Sequence, residues 1–206
     1  MFNEDNTTEK MIIDTLVQNG WEYVPPEELT RSENDPFEEK MVRAALIELN
    51  PEIAEDTSRA DEVLIKLRRL FATTNADNLV ENNERFKAMV FEENSFPFGK
   101  DNQHTSIRYF GTEINGMSDK NRYVVTNQWV YPTKQGGKRL DIVLLVNGFP
   151  FVIGELKTPV RASISWLDGA MDINAYEQSI PQMFVCNVFN FATEGKRYRY
   201  GSVCMP

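Results

Sequence analysis

The chain has 206 residues, of which 41% are apolar and 26% charged, and its formal net charge is −9. That length supports one substantial core, or one core with a helical extension. The acidic balance argues against a protein that coats nucleic acid along its whole surface, so any contact with a polyanion is expected to be local.

The rarer residues narrow the chemistry. Cys186 and Cys204 form no CxxC pair, and His104 is the single histidine, so neither a zinc site nor a histidine-rich metal site is expected. Nothing around His104 suggests a Ser-His-Asp enzyme. A Walker-type GxxxxGK[ST] segment is absent from the sequence. So are a secretory leader and an apolar run of about 18 residues, which makes the cytoplasm the expected compartment and membrane partners unexpected.

Residues 1–100 read as mostly helical. Thr7 and Thr8 precede Glu9 and an apolar pattern at Met11, Ile12, Leu16 and Val17, a helix that should stop at Gly20. A loop follows around Pro25, Pro26 and Pro36. Helices are expected near 38–49, 58–71 with Ser58 as a candidate cap, and 78–92. After residue 100 the pattern shifts to strands: Ser106–Phe110, Arg122–Tyr131, Leu140–Val146 and Phe149–Leu156, with Asn147-Gly148 as a hairpin turn between the last two. A helix over Ile164–Gln178, weakened by Gly169 and packed through Trp166 and Met171, is followed by strands at Gln182–Val188 and Arg197–Val203. The expected architecture is α/β: a mixed central sheet flanked by helices, with a helical amino-terminal portion. Residues 1–206 read as a single domain, in which 20–100 form a mainly helical elaboration and 104–206 the sheet core.

The chemistry concentrates in RLDIVLLVNGFPFVIGELKTP, residues 139–159. Asp141 opens one apolar strand, and Glu155-Leu156-Lys157 ends the next. A carboxylate in such a strand is costly unless a metal ion or hydrogen bonds compensate it. Glu155 and Lys157 share a strand face. Asp141 and Glu155 are hard oxygen ligands suited to Mg²⁺ or Mn²⁺, and the Leu156 carbonyl is a candidate third ligand. A structural ion cluster is the competing reading. The hairpin also sets a condition. A strict two-residue turn pairs Asp141 with Gly154 and turns Glu155 away. A three-residue connection at Gly148 or a bulge near Gly154 is needed to bring the carboxylates together. Lys134, Lys138 and Arg139, just before the Asp141 strand, are candidates for phosphate contacts.

Asp141…Glu155-x-Lys157 resembles the PD-(D/E)xK nuclease signature. The surrounding text, including NRYVVTNQWVYP, DINAYEQSIPQMFVCNVFNFATEGKRYRYG and AALIELNP, is similar to the amino-terminal nuclease domain of the restriction (R) subunit of type I restriction-modification enzymes. The resemblance covers nearly all of residues 8–206. It implies a restriction-endonuclease-like fold and Mg²⁺-dependent cleavage of double-stranded DNA by a type I site-specific deoxyribonuclease. It also implies an ATP-driven translocase carboxy-terminal to the nuclease, ATP serving only that motor, and modification and specificity subunits as partners. By the same resemblance Asp141, Glu155 and Lys157 are catalytic, and Glu9 is the matching first-helix glutamate. Tyr176 matches the tyrosine of a Gln-x-x-x-Tyr element near DNA, where Asp172 replaces the glutamine. Leu140 stands where the family usually has proline. A stand-alone repair-type nuclease and a catalytically silent interaction domain are the alternatives.

Overall fold

A computed structural model describes residues 5–112, 120–134, 136–157 and 165–205. Helix α1 spans Asp5–Gln18 and leads into a two-residue strand β1, Glu22–Tyr23. Four helices follow: α2 (Glu39–Leu49), α3 (Pro51–Glu55), α4 (Ser58–Ala72) and α5 (Leu79–Phe91). A short antiparallel pair, β2 (Ser95–Phe96) and β3 (Thr105–Ser106), precedes the main strands β4 (Tyr123–Tyr131), β5 (Lys138–Val146) and β6 (Phe149–Leu156). Helix α6 (Trp166–Ser179) returns to β7 (Phe189–Thr193), and β8 (Tyr198–Gly201) closes the edge. The six-stranded sheet runs β1-β4-β5-β6-β7-β8, with parallel pairing at β1–β4 and β6–β7 and antiparallel pairing elsewhere. The fold is mixed α/β, with helices against the central sheet and a helical amino-terminal stretch.

The apolar periodicities explain the packing. Ile12, Ile13 and Leu16 of α1 pack with Val125, Ile142, Leu144, Val152 and Phe191, while Ile173 of α6 belongs to a second cluster with Val143, Leu145, Ile153 and Ala192. The third cluster joins α2–α5 to the sheet through Phe149, whose ring lies 5.8 Å from Phe37 and 5.2 Å from Phe86. The helical segment and β6, the strand that carries Glu155, therefore share one buried core.

Several expectations need correction. Gln182–Val188 is not a strand. Pro181–Phe184 forms a 3₁₀ turn, and the strand begins at Phe189. Proline at the first helical position favours that turn, and residues 183–187 are all buried, so no period-two alternation was present to identify a strand. Ser58 lies inside α4. Asp56 serves the helix entry instead, accepting from the Ser58 backbone N–H at 3.1 Å and its hydroxyl at 2.6 Å. Met171 is 65% exposed and is not a core residue. The strand expected at Ser106–Phe110 is limited to Thr105–Ser106. Ile164, the expected start of α6, lies outside the described residues.

Candidate active site at the end of the central hairpin

The β5–β6 turn is the strict two-residue kind, with Val146 opposite Phe149 and positive φ at Asn147 (51°) and Gly148 (92°). The parity problem is solved one step further along β6. Leu145 pairs with Pro150 but Leu144 pairs with Val152, which leaves Phe151 as the extra residue of a bulge. From there the register runs to Ile142 opposite Gly154, and its next step sets Asp141 opposite Glu155. The irregularity the hairpin requires is present, at Phe151 and not at Gly154 or in a longer turn. Gly154 has a different use: the Phe191 ring lies where a Cβ would be.

Backbone pairing stops at this point. The Asp141 carboxylate takes the place of the next rung, with Oδ2 accepting from the Leu156 N–H at 2.9 Å. On the other side, β4 and β5 pair at Asn127–Ile142 and again at Trp129–Leu140, skipping Gln128, the residue across from Asp141. Gln128 has a φ of 50°, a left-handed backbone at a non-glycine residue. The alternation along β4 resets there: Val124 and Trp129, of opposite parity, lie in one buried cluster, and Val125 lies in another. Asp141 thus sits at a gap in the hydrogen-bond ladder on both sides.

Around this gap the structure gathers four elements. Glu155 is 4% exposed; its Oε1 accepts from Lys157 Nζ at 2.8 Å, and its Oε2 is buried with no hydrogen-bond partner among the described residues. Lys157 also donates to Asp172 of α6. Its backbone N–H donates to Thr193 O at 2.9 Å, which ties the end of β6 to β7. Helix α6 can lie this close because residue 169 is glycine: a Cβ there would come within 3.1 Å of Ala192 Cβ and 3.4 Å of Glu155 Cγ. The glycine that lowers helix propensity therefore sets the distance between α6 and the carboxylate. Ser165 caps α6, with Asp168 completing the box.

Electrostatics follow from this burial. Desolvation, with Asp141 adding repulsion, pushes the Glu155 carboxyl up to about 7 against the pull of Lys157. Desolvation also raises Asp141, opposed by the Leu156 N–H and the Lys157 charge. At Lys157 burial acts to lower the pKa, but hydrogen bonds to Asp172 and Glu155 outweigh it and hold the ammonium above the usual lysine range. Burial and the neighbouring carboxylates Glu155, Asp172 and Asp141 raise the Tyr176 phenol. Among the described residues, the centre brings the carboxylates of Asp141, Glu155 and Asp172 around the Lys157 ammonium.

The remaining sequence-selected residues have the following places. Glu9 of α1 accepts at both oxygens, from Asn127 Nδ2 at 2.5 Å and Gln128 Nε2 at 2.6 Å, and its charge is felt at Asp141. Tyr176 projects from α6 toward the start of β5. Its hydroxyl is 3.4 Å from Arg139 O, and Lys138 Nζ lies 5.9 Å from its ring centre. Lys134 and Arg139 are exposed and Lys138 is half-buried, on the approach to Asp141. Among the described residues, no group of three or more His, Cys, Asp or Glu side chains forms a metal cage. The sequence reading missed Asn127, Gln128 and Tyr23. The available signal was the polar Asn-Gln pair inside an otherwise apolar and aromatic strand.

The chain matches, over residues 1–204, the family profile described as the type I restriction enzyme R protein N terminus. It is similar to the type I restriction enzyme HindI endonuclease subunit of Haemophilus influenzae, with 29% identity over 215 residues, covering 98% of this chain and 19% of that protein. It is also similar to the putative type I restriction enzyme MjaIXP endonuclease subunit of Methanocaldococcus jannaschii, with 26% identity over 211 residues, covering 97% of this chain and 19% of the relative. Both relatives are therefore much longer than the chain. With a family match along nearly its entire length, the chain belongs to the family of type I restriction enzyme R protein amino-terminal domains.

Proposed function

We propose that residues 1–206 form a divalent-metal-dependent endonuclease domain that cleaves double-stranded DNA as part of an ATP-dependent type I restriction enzyme. The observation that carries this reading is the Phe151 bulge, whose register, continued one step past Ile142–Gly154, sets Asp141 opposite Glu155, together with a buried Glu155 oxygen that has no hydrogen-bond partner among the described residues. Mg²⁺ is commonly held by one or two carboxylates, with water and substrate phosphate completing its shell, so a full protein cage is not required. Asp141, Glu155 and the Leu156 carbonyl are the groups that would hold Mg²⁺ or Mn²⁺. Such an ion supplies Lewis-acid polarisation of a phosphate and a more acidic water.

The other roles belong to the chain itself. Lys157, kept as an ammonium by Glu155 and Asp172, is placed to donate to a phosphate oxygen as negative charge develops there. Glu9 is placed to accept from a water near Asp141. Lys134, Lys138 and Arg139 are assigned to backbone phosphates, and Tyr176 with Asp172 to the neighbouring DNA surface. The carboxylate at Asp172 repels phosphate unless Lys157 remains paired with it. The core shared through Phe149 supports treating the helical segment and the sheet as one nuclease domain. Double-stranded DNA, modification and specificity subunits, a carboxy-terminal translocase and a cytoplasmic location complete the proposal. Its test is Asp141→Ala and Lys157→Ala in the assembled enzyme. Each should abolish cleavage while folding and ATP-driven translocation persist, and full cleavage by both variants overturns the assignment.

A further inference from the structure

The backbone of Gln128 is in the left-handed region at the ladder position across from Asp141. Glycine meets that conformation without a Cβ penalty, and asparagine tolerates it better than a long side chain. A purely conformational need would be met more cheaply without glutamine. The side chain is in use: Gln128 Nε2 donates to Glu9 Oε2 at 2.6 Å, and Asn127 Nδ2 donates to Glu9 Oε1 at 2.5 Å. The Asn127 amide is itself oriented, because Tyr23 of β1 donates to its Oδ1 at 2.9 Å. Consecutive residues of an ordinary strand point to opposite faces and do not hold one carboxylate between them. The left-handed turn at Gln128 is what lets neighbouring side chains do so.

We propose that Asn127 and Gln128 are positioning residues that hold the Glu9 carboxylate of α1 at the edge of the Asp141–Glu155–Lys157 centre. Both donors are neutral amides. They orient Glu9 without cancelling its charge, and each carboxylate oxygen keeps acceptor capacity for water or a cation. A lysine or arginine in their place would neutralise it. The inference rests on the metal-dependent nuclease reading, and its test separates the two.

The experiment compares Gln128→Gly, Asn127→Ala, Glu9→Gln and the Glu9→Gln/Gln128→Gly pair in the full-length protein assembled with its partners. It measures plasmid cleavage, ATP hydrolysis, thermal unfolding, and direct Mn²⁺ binding in the absence of DNA. Gln128→Gly should be at least as heat-stable as the parent and hydrolyse ATP normally. Its cleavage rate or Mn²⁺ affinity should fall about tenfold or more, the usual effect of removing an outer-shell partner. Asn127→Ala should fall in the same readout. The double variant should be no worse than the worse single variant, because both changes act through Glu9. Parental cleavage and Mn²⁺ binding by Gln128→Gly would reduce the site to a backbone feature and overturn the proposal. So would multiplicative losses in the double variant, or failure of Gln128→Gly to fold. Parental cleavage by Asp141→Ala and Lys157→Ala would instead remove the nuclease reading itself.

Discussion

Glu155→Gln should make the metal-free protein more stable while removing the proposed activity. The Glu155 carboxyl rises from 4.5 to about 7 on folding, chiefly through desolvation and then through Asp141. A raised carboxylate pKa means that the folded state binds the proton more tightly. Its contribution to stability is fully present below pH 4.5 and is lost as pH rises through about 7. Above that window the ionised side chain opposes folding by up to about 3 kcal/mol. Glutamine keeps the shape and an acceptor for Lys157 Nζ, and Lys157 retains Asp172. The variant should therefore gain up to about 3 kcal/mol near pH 8.5 in chelator, an increase in melting temperature of roughly 6–12 °C for a chain of this size. The gain should shrink through the same window and vanish near pH 4. Urea unfolding across that range measures it. A variant less stable than the parent near pH 8.5, or a difference that does not change with pH, would refute the account of Glu155 as a carboxylate held at a cost for function.

Gly154→Ala should destabilise by about 1–3 kcal/mol, since its Cβ enters the space of the Phe191 ring, and Phe191→Leu in the same background should recover part of the loss in chemical unfolding. Asn147→Ala should cost about 2–3 kcal/mol in the same assay: Asn147 has a left-handed backbone, accepts from the Arg122 N–H at 2.7 Å and donates to Tyr109 O at 3.0 Å, all in a buried turn. If Lys138 and Arg139 contact phosphates, replacing each with alanine should weaken DNA binding without regard to sequence. Each should also reduce the log–log salt slope by about one, while an unchanged slope would place them off the DNA path.

Much of the fold is legible because period and punctuation agree with burial. The helices expected near 38–49 and 58–71 form, and their buried residues Val42, Ala45, Leu46, Leu49 and Ala60, Val63, Leu64, Leu67 recur at helical spacing, while the Asn-Gly pair forms its expected turn. Where every residue is buried the signal fails. Met183–Asn187 carries no alternation, and only the surrounding packing decides between a strand and a turn. Met171 shows the reverse limit: a large apolar residue on a helix carries no label for which face the fold will cover, and this one stays exposed. The two-residue β1 is paired parallel to β4, which lies about a hundred residues further along the chain, and local propensity contains nothing of that pairing.

The site divides along the same line. Side-chain chemistry is local, so Asp141, Glu155 and Lys157 stand out from their residue types and spacing. Their arrangement depends on two interruptions of the ladder, and each is stabilised from a distance. The Phe151 bulge is fixed by the Phe110 ring at 5.1 Å and by the Val188 N–H, which donates to Phe151 O at 2.7 Å. The left-handed Gln128 is joined to Glu9, and Glu9 belongs to a helix more than a hundred residues away. Strand parity demanded an irregularity but not its place, because hairpin arithmetic counts residues and contains none of these partners. Regular pairing would have turned Glu155 from Asp141 and Gln128 from Asn127. The same departures that place the carboxylates together leave Glu155 desolvated, so the Glu155→Gln gain and the proposed loss of cleavage have one physical origin.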